Sequence, residues 1–259
     1  MTANHFVKAL ILPEDHEYEE LTAIVSSMKN AKLMTKANEQ VSGERSAQVN
    51  AGSLTSFVEN LTGQDKSDVM NSTLLAQLSA NKMHDRMQAP MDWYKYYINV
   101  LENIGWNLPG FAFDTYTSGG STVNLDKAVL GILAAIATGG EIALVQATMN
   151  ALQAQSADSA PMNIWNANTS GGNNGNFQII PVANVNDNVV MMMVGMQFKA
   201  RTSSGGFLWW TWKSTDIDIK RAANKFELNK DVYKQVRQQI IDKLGDKAKT
   251  FVANLPDLD

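Results

Sequence analysis

Two neighbouring stretches near residue 200 break the usual alternation of apolar and polar side chains. Val189-Val190-Met191-Met192-Met193-Val194-Gly195-Met196-Gln197-Phe198 and Phe207-Leu208-Trp209-Trp210-Thr211-Trp212 are large and apolar at successive positions, and Ser203-Ser204-Gly205-Gly206 between them has turn composition. Successive residues of a strand point to opposite faces, so a strand apolar at nearly every position needs cover on both sides. The pattern predicts a β-hairpin buried on both faces. Left bare, so much apolar surface would promote aggregation.

Strand signals cover Phe177 to Val185, Val189 to Arg201, Phe207 to Lys213 and Thr215 to Leu228, with short turns such as Asn186-Asp187-Asn188 between them. They read as an antiparallel meander. Upstream the period changes to that of helices. Tyr18, Leu21, Val25 and Met28 mark a helix from Glu14 to about Ala37, after Pro13, and Asn38 to Asn50 reads as a polar loop. Ser53 has the character of an N-cap for a helix carrying Leu54, Phe57, Val58 and Leu61, ended by Gly63, before a second run with Met70, Leu74, Leu75 and Leu78. After Pro90, the residues Trp93, Tyr96, Tyr97, Val100, Leu101 and Ile104 define an amphipathic helix broken at Leu108-Pro109-Gly110, and Phe111 to Tyr116 reads as a short strand.

Asn124 is placed to cap a helix from Leu125 to Thr138, apolar almost all round and stopped by Gly139-Gly140, with a partner from Glu141 to about Gln155. This predicts a helical hairpin whose first arm is central. Asn166 to Asn176 reads as a turn-rich loop. Asn229 caps a last long helix through Tyr233, Val236, Ile240 and Leu244, ended by Gly245, and Ala248, Phe251 and Val252 mark a short terminal helix. Helices, then a meander, then helices predict an α+β fold. N-terminal and central helices pack on a C-terminal antiparallel β-meander, closed by a C-terminal helix. The expected organisation is a single domain, with a helical part over 1–155, the meander over 175–228 and C-terminal helices over 229–255.

Composition narrows the function classes. The 259 residues are 44% hydrophobic and 19% charged, ordinary for a chain that buries a core, and include 13 methionines. There is no cysteine, which excludes disulfides, thiol nucleophiles, cysteine-ligated metal and S-acylation. A net charge of −4 argues against a protein that coats nucleic acid, which needs a concentrated basic surface. The longest apolar run, Ala128 to Ala137, is too short to span a bilayer. Met1-Thr2-Ala3-Asn4-His5 lacks the basic and apolar regions of a signal peptide, so the expected location is a bacterial cytoplasm, with release or injection by another route.

Catalytic signatures are missing: no GxSxG elbow, Walker A loop, HExxH or dinucleotide fingerprint occurs. His16 sits in an acidic helix start, and His84-Asp85 and His5 are isolated. Asp216 and Asp218 alternate with Ile217 and Ile219, so their carboxylates share a strand face, either as an acid/base or cation pair or as the wet side of an edge strand. Lys230, Lys234 and Arg237 line one side of the last long helix and face either anionic headgroups or water. The Asn/Gly loop from Asn166 to Asn176 is either a long turn or a binder of sugar or metal through amides and carbonyls.

A candidate ligand site combines Met191, Met193, Trp210 and Trp212 with Ile132 and Ile136 of the apolar helix, enclosing a lipid tail; ordinary core packing is the competing reading. Trp209 and Trp210 must point to opposite faces, so one of them at most joins Trp212 in a single pocket. No cofactor or metal is expected, and a noncovalently held fatty acid is the candidate ligand.

Three stretches resemble a family of poorly characterised bacterial proteins similar to the Erwinia virulence factor. They are Asp92-Trp93-Tyr94-Lys95-Tyr96-Tyr97 through Gly105-Trp106, Asn124-Leu125-Asp126-Lys127-Ala128-Val129-Leu130 with its Gly139-Gly140 break, and Tyr233-Lys234-Gln235-Val236-Arg237-Gln238-Gln239-Ile240 to Leu244-Gly245-Asp246. The resemblance covers about the last two-thirds of the chain. It implies an α+β protein that helps a bacterium persist in an insect gut and carries a fatty acid on a central cysteine. Without cysteine no thioester forms here, and no functional residue carries over.

The leading expectation is a non-enzymatic bacterial virulence or toxin-like protein that binds lipid or perturbs a host membrane through the apolar helix hairpin and the Trp/Met-rich sheet. A self-assembling subunit that forms a homo-oligomer through Met-rich surfaces is the second, and an enzyme of acyl or glycan substrates with a dispersed acid/base site, testable at Asp216, Asp218 and His84, the third.

Overall fold

The computed structural model describes residues 2–29, 44–201, 211–256 and 258. The Thr2 hydroxyl caps α1 (Ala3–Ala9), and a 3-10 turn (Asp15–Tyr18) leads into α2 (Glu19–Lys29), where Leu21 and Val25 are buried as their spacing predicts. The expected continuation of that helix to Ala37 lies outside the described residues.

The next segment departs from expectation. The helix predicted from Ser53 is a strand: β1 (Ser46–Asn50) and β2 (Ser53–Phe57) form a hairpin turned at Ala51-Gly52. The last residues of the expected loop are therefore also strand. Every residue of β2 is buried, so the apolar spacing there does not mark a face. Gly63 opens a helix where a helix end was expected, because Thr62 and Asp65 form a capping box that starts α3 (Gly63–Met83). Next, α4 (Pro90–Asn103) buries Trp93, Tyr97, Val100 and Leu101 on the predicted stripe, followed by the short strands β3 (Trp106–Asn107), β4 (Asp114–Tyr116) and β5 (Thr122–Asn124).

The apolar hairpin forms, but in a different setting. Its first arm, α5 (Leu125–Leu133), is shorter than predicted, and Gly131, Ala134 and Ala135 are exposed, so it is an outer helix and not a central one. Thr138 and Glu141 box the start of α6 (Gly139–Gln153). An unanticipated helix, α7 (Ala160–Thr169), is capped by Ser159 and absorbs the first part of the expected Asn-rich loop. The remainder is β6 (Ser170–Gly171), a two-residue turn with Gly172 at φ +59°, and the first residues of β7 (Asn174–Val185). Then come β8 (Asn188–Ala200), β9 (Thr211–Lys213), β10 (Ile217–Leu228), α8 (Lys230–Leu244) capped by Asn229 and ended at Gly245, α9 (Lys247–Phe251) and β11 (Val252–Asn254).

The fold is α+β. Strand order in the main sheet is β11-β1-β2-β7-β8-β10-β3, with β4 also on β10 and β6 also on β7. The run β7-β8-β10 is antiparallel as predicted, but it is not the four-strand meander expected, because the Thr211–Lys213 strand does not lie between β8 and β10. Beyond it the sheet is mixed, because β2 lies parallel to β7 and brings the N-terminal hairpin and β11 onto the same sheet. The proposed pairing of β8 with the Trp-rich arm is not what forms. β8 pairs along its length with β7 and β10, while Thr211–Lys213 pairs with β5 in a separate two-stranded sheet. A 12-residue β10 can satisfy almost the whole 13-residue β8, which the three residues of β9 cannot. Residues 202–210 of the expected hairpin, with Trp209 and Trp210, lie outside the described residues.

Expectation and structure agree on the two-sided burial of β8. On one face, a Cβ placed on Gly195 would meet Phe111, Phe113 and Tyr94 at 3.1–3.2 Å, and Gln178 of the neighbouring strand donates from Nε2 to Tyr94 Oη at 2.8 Å. On the other, Phe177 packs on Trp165 of α7 with ring centroids 5.7 Å apart, and Phe198 packs on Trp212 at 5.8 Å. Helices α3 and α4 therefore cover one face of the sheet, and α7, the β5–β9 sheet and the α5–α6 hairpin cover the other.

Candidate functional site

An open groove of about 860 Å³ lies where the start of α6, the segment after β3 and the ends of β8 and β10 converge. Its apolar floor is made by Val190 and Met192 of β8 with Leu108 and Pro109; Glu102, Glu227, Lys225 and Glu141 bring charge to it. Cross-strand register explains this arrangement. Val190 lies opposite Glu227 and Met192 opposite Lys225, so these four side chains share one face, the apolar pair buried and the charged pair exposed. Glu141 is committed to its helix cap, where the Thr138 amide and hydroxyl both donate to Oε2 at 2.5 Å. Glu102, Glu227 and Lys225 make no ion pair among the described residues.

The groove adjoins the α5–α6 turn through Thr138 and Glu141. From Ala128 to Gly140 the chain carries no charge, and within this stretch Gly131, Ala134 and Ala135 are exposed and Ile136 and Ala137 half-buried. One end of the molecule thus presents an uncharged helical tip beside an apolar-floored groove.

Strand alternation separates the predicted site residues. Met191 and Met193 are fully buried and lie on the Gly195 face of β8, under the α4 side of the sheet, where Met191 is paired with Phe226. Trp212 is buried against Phe198 on the opposite face. Ile132 is buried on α5, which follows directly from β5, the strand paired with Trp212's β9, and Ile136 is half-buried in the turn. The structure thus places Trp212 and Ile132 on one side of the sheet and the two methionines on the other. Trp210 lies outside the described residues. It is Val190 and Met192, between and beside the predicted methionines, that reach the groove. Period-2 alternation already separates Met192 from Met191 and Met193; which face meets a groove is not encoded locally.

A buried polar hub went unrecognised in the sequence. Arg86, just beyond α3, donates from Nε to the Asn176 carbonyl at 3.2 Å, from Nη1 to Gln77 Oε1 at 2.9 Å, and from Nη2 to the Gly52 carbonyl at 3.2 Å and Gln178 Oε1 at 2.9 Å. Its Cζ lies 4.3 Å from the ring centroid of Trp93, which stacks on Tyr97. None of these partners is a carboxylate. Burial lowers the guanidinium pKa to about 10 and pushes the Tyr94 and Tyr97 hydroxyls well above the usual phenol range. Gly52 is required here, since a Cβ would sit 2.3 Å from Arg86 Nη2. The hub ties the α3–α4 connection to the β1–β2 turn and β7, and only tertiary contact reveals it.

The other candidates resolve into structure. Of the three α8 cations singled out in the sequence, Lys230 pairs with Asp65 at 2.9 Å, and Arg237 grips buried Asp68 with both Nε and Nη2 at 2.8 and 2.7 Å, while Lys234 is exposed. Asp218 is exposed on β10, Asp216 accepts from Thr215 Oγ1 at 2.9 Å, and His84 ends α3 with its ring 6.0 Å from Tyr96; no hydrogen bond or ion pair joins the three among the described residues. In the Asn-rich segment, the Asn168 amide donates to the Ile164 carbonyl and the Asn176 amide to the Arg86 carbonyl. Among the described residues there is no group of three or more acidic or histidine side chains able to hold a metal.

No family model and no curated protein matches the sequence. Among solved structures, the chain is similar to a delta-endotoxin, at 12% identity and a TM-score of 0.42 over 70% of this chain and 84% of that one. It is also similar to the Evf virulence factor, at 12% identity and a TM-score of 0.36 over 84% of this chain and 89% of that one.

Proposed function

We propose that this protein is non-enzymatic and engages lipid through the α5–α6 tip and the adjoining groove, in a toxin-like or virulence role at a host membrane. The setting is what the sequence resemblance implies. The lipid reading rests on one observation: the charge-free stretch from Ala128 to Gly140 is exposed at its turn and opens onto a groove floored by Val190 and Met192. Apolar area moved from water to lipid gains roughly 25 cal/mol per Å², and no charge at this tip opposes that transfer. No described helix is long and apolar enough to cross a membrane, so the engagement proposed is at the interface or through a carried chain.

Liposome co-sedimentation and dye release over zwitterionic and anionic compositions test this reading. Ala134→Asp and Ala135→Asp place charge at exposed positions of the tip, where folding tolerates it, and are expected to lower the bound fraction severalfold. Absence of wild-type binding on every composition overturns the proposal.

A further inference from the structure

Resting on that lipid reading, we infer that the groove takes a single-chain amphiphile whose head carries a cationic ammonium group, with the alkyl tail on the Val190–Met192 floor and the head among Glu102, Glu227 and Glu141. The volume of about 860 Å³ falls within the range of small-molecule sites. Charge decides the head. Three carboxylates and one ammonium, that of Lys225, line the groove; Glu102 and Glu227 make no ion pair among the described residues and are free to face a ligand. Across a groove of this size charges lie within about a Debye length, roughly 8–10 Å at physiological salt, so an anionic head would be repelled and an ammonium drawn in. A free fatty acid, whose carboxylate would meet this rim, is accordingly the wrong ligand for the groove. Lys225, one residue along the same strand face from Glu227, is placed to meet the phosphate of a zwitterionic head such as phosphocholine.

The test is calorimetric titration of the whole protein with C12 amphiphiles kept below their micellar concentration, with circular dichroism confirming that the fold persists. Dodecyltrimethylammonium and dodecylphosphocholine are expected to bind at least tenfold more tightly than dodecanoate and dodecyl sulfate. Tetramethylammonium, which has the head and no tail, is expected to bind at least a hundredfold more weakly than its dodecyl counterpart, which separates an amphiphile site from a site for a free cation. Glu102→Gln combined with Glu227→Gln should erase the preference among heads while leaving tail-driven affinity, and the uncharged Leu108→Asn should weaken every amphiphile.

Equal binding of dodecanoate, or a head preference that survives the double Gln variant, overturns the inference while leaving lipid engagement intact. If vesicles bind and no monomeric amphiphile does, the groove assignment falls and the tip remains. If amphiphiles bind with the stated preference and vesicles do not, the membrane reading falls and the groove assignment stands.

Discussion

Replacing Arg86 with Met keeps much of the side-chain length and removes the guanidinium, so it asks whether a buried charge without a carboxylate partner stabilises the fold. Four hydrogen bonds are lost, each from a charged donor to a neutral acceptor. Bonds of this kind contribute roughly 1.5–3 kcal/mol apiece, or about 6–12 kcal/mol gross. Two effects reduce the loss. Three of the four acceptors keep another partner: Gln77 Oε1 still accepts from the Gly52 amide, Gln178 Oε1 from Ser53 Oγ, and the Gly52 carbonyl from the Gln178 amide. Removing the charge also relieves a desolvation penalty of several kcal/mol.

The net expectation is a destabilisation of about 3–5 kcal/mol, read as a lower urea midpoint at unchanged m-value. Arg86→Lys should be no better, because an ammonium cannot span four acceptors arranged around a planar fork. A loss below about 1 kcal/mol for Arg86→Met would refute the reasoning, since it would mean that burial of the guanidinium costs as much as its bonds return.

Two further outcomes follow from buried polar groups. Arg237→Gln leaves the buried Asp68 carboxylate without its guanidinium and should cost about 3–5 kcal/mol, whereas Asp68→Asn leaves the partly exposed Arg237 free to reach water and should cost less; urea midpoints showing the reverse order would contradict this. Alkaline stability carries a sign. Burial holds the Tyr94, Tyr97 and Tyr233 hydroxyls protonated above the phenol range, so the unfolded chain sheds protons first as pH rises past about 10, and stability falls by about 1.4 kcal/mol per pH unit for each. Arg86 acts oppositely, because its lowered pKa of about 10 lets the folded form lose the buried charge first, and burial of Lys66 adds in the same direction. The three phenols outweigh these, so urea midpoints should drop above pH 10. Tyr97→Phe should flatten that slope with little loss at neutral pH, because its hydroxyl has no hydrogen-bond partner among the described residues; a midpoint that holds or rises above pH 10 would be inconsistent.

Much of the secondary structure was legible because its signals are local. The stripe from Trp93 to Ile104 and the Asn229 cap with its Gly245 stop became α4 and α8 as read. The successive apolar residues of β8 correctly called for cover on both faces. The Ser53–Phe57 segment was misread because a strand buried on both faces has no polar side to reveal its period. Thr62 and Asp65 were the local signal that Gly63 begins a helix, and α7 was missed although Ser159 and Pro161 mark its start.

The sequence by itself determined the class of fold, the two-sided burial of β8 and the absence of cysteine chemistry, because composition, period and caps act over a few residues. Tertiary structure alone decided that β8 pairs with β10 and not with the Trp-rich arm, that Met192 and not Met193 meets the groove, and that Arg86 gathers Gln77, Gly52, Asn176 and Gln178 from three separate stretches of chain. Pairing partners and buried hydrogen bonds are chosen by which distant segments complete one another's backbone and side-chain polar groups, a competition that no local window contains.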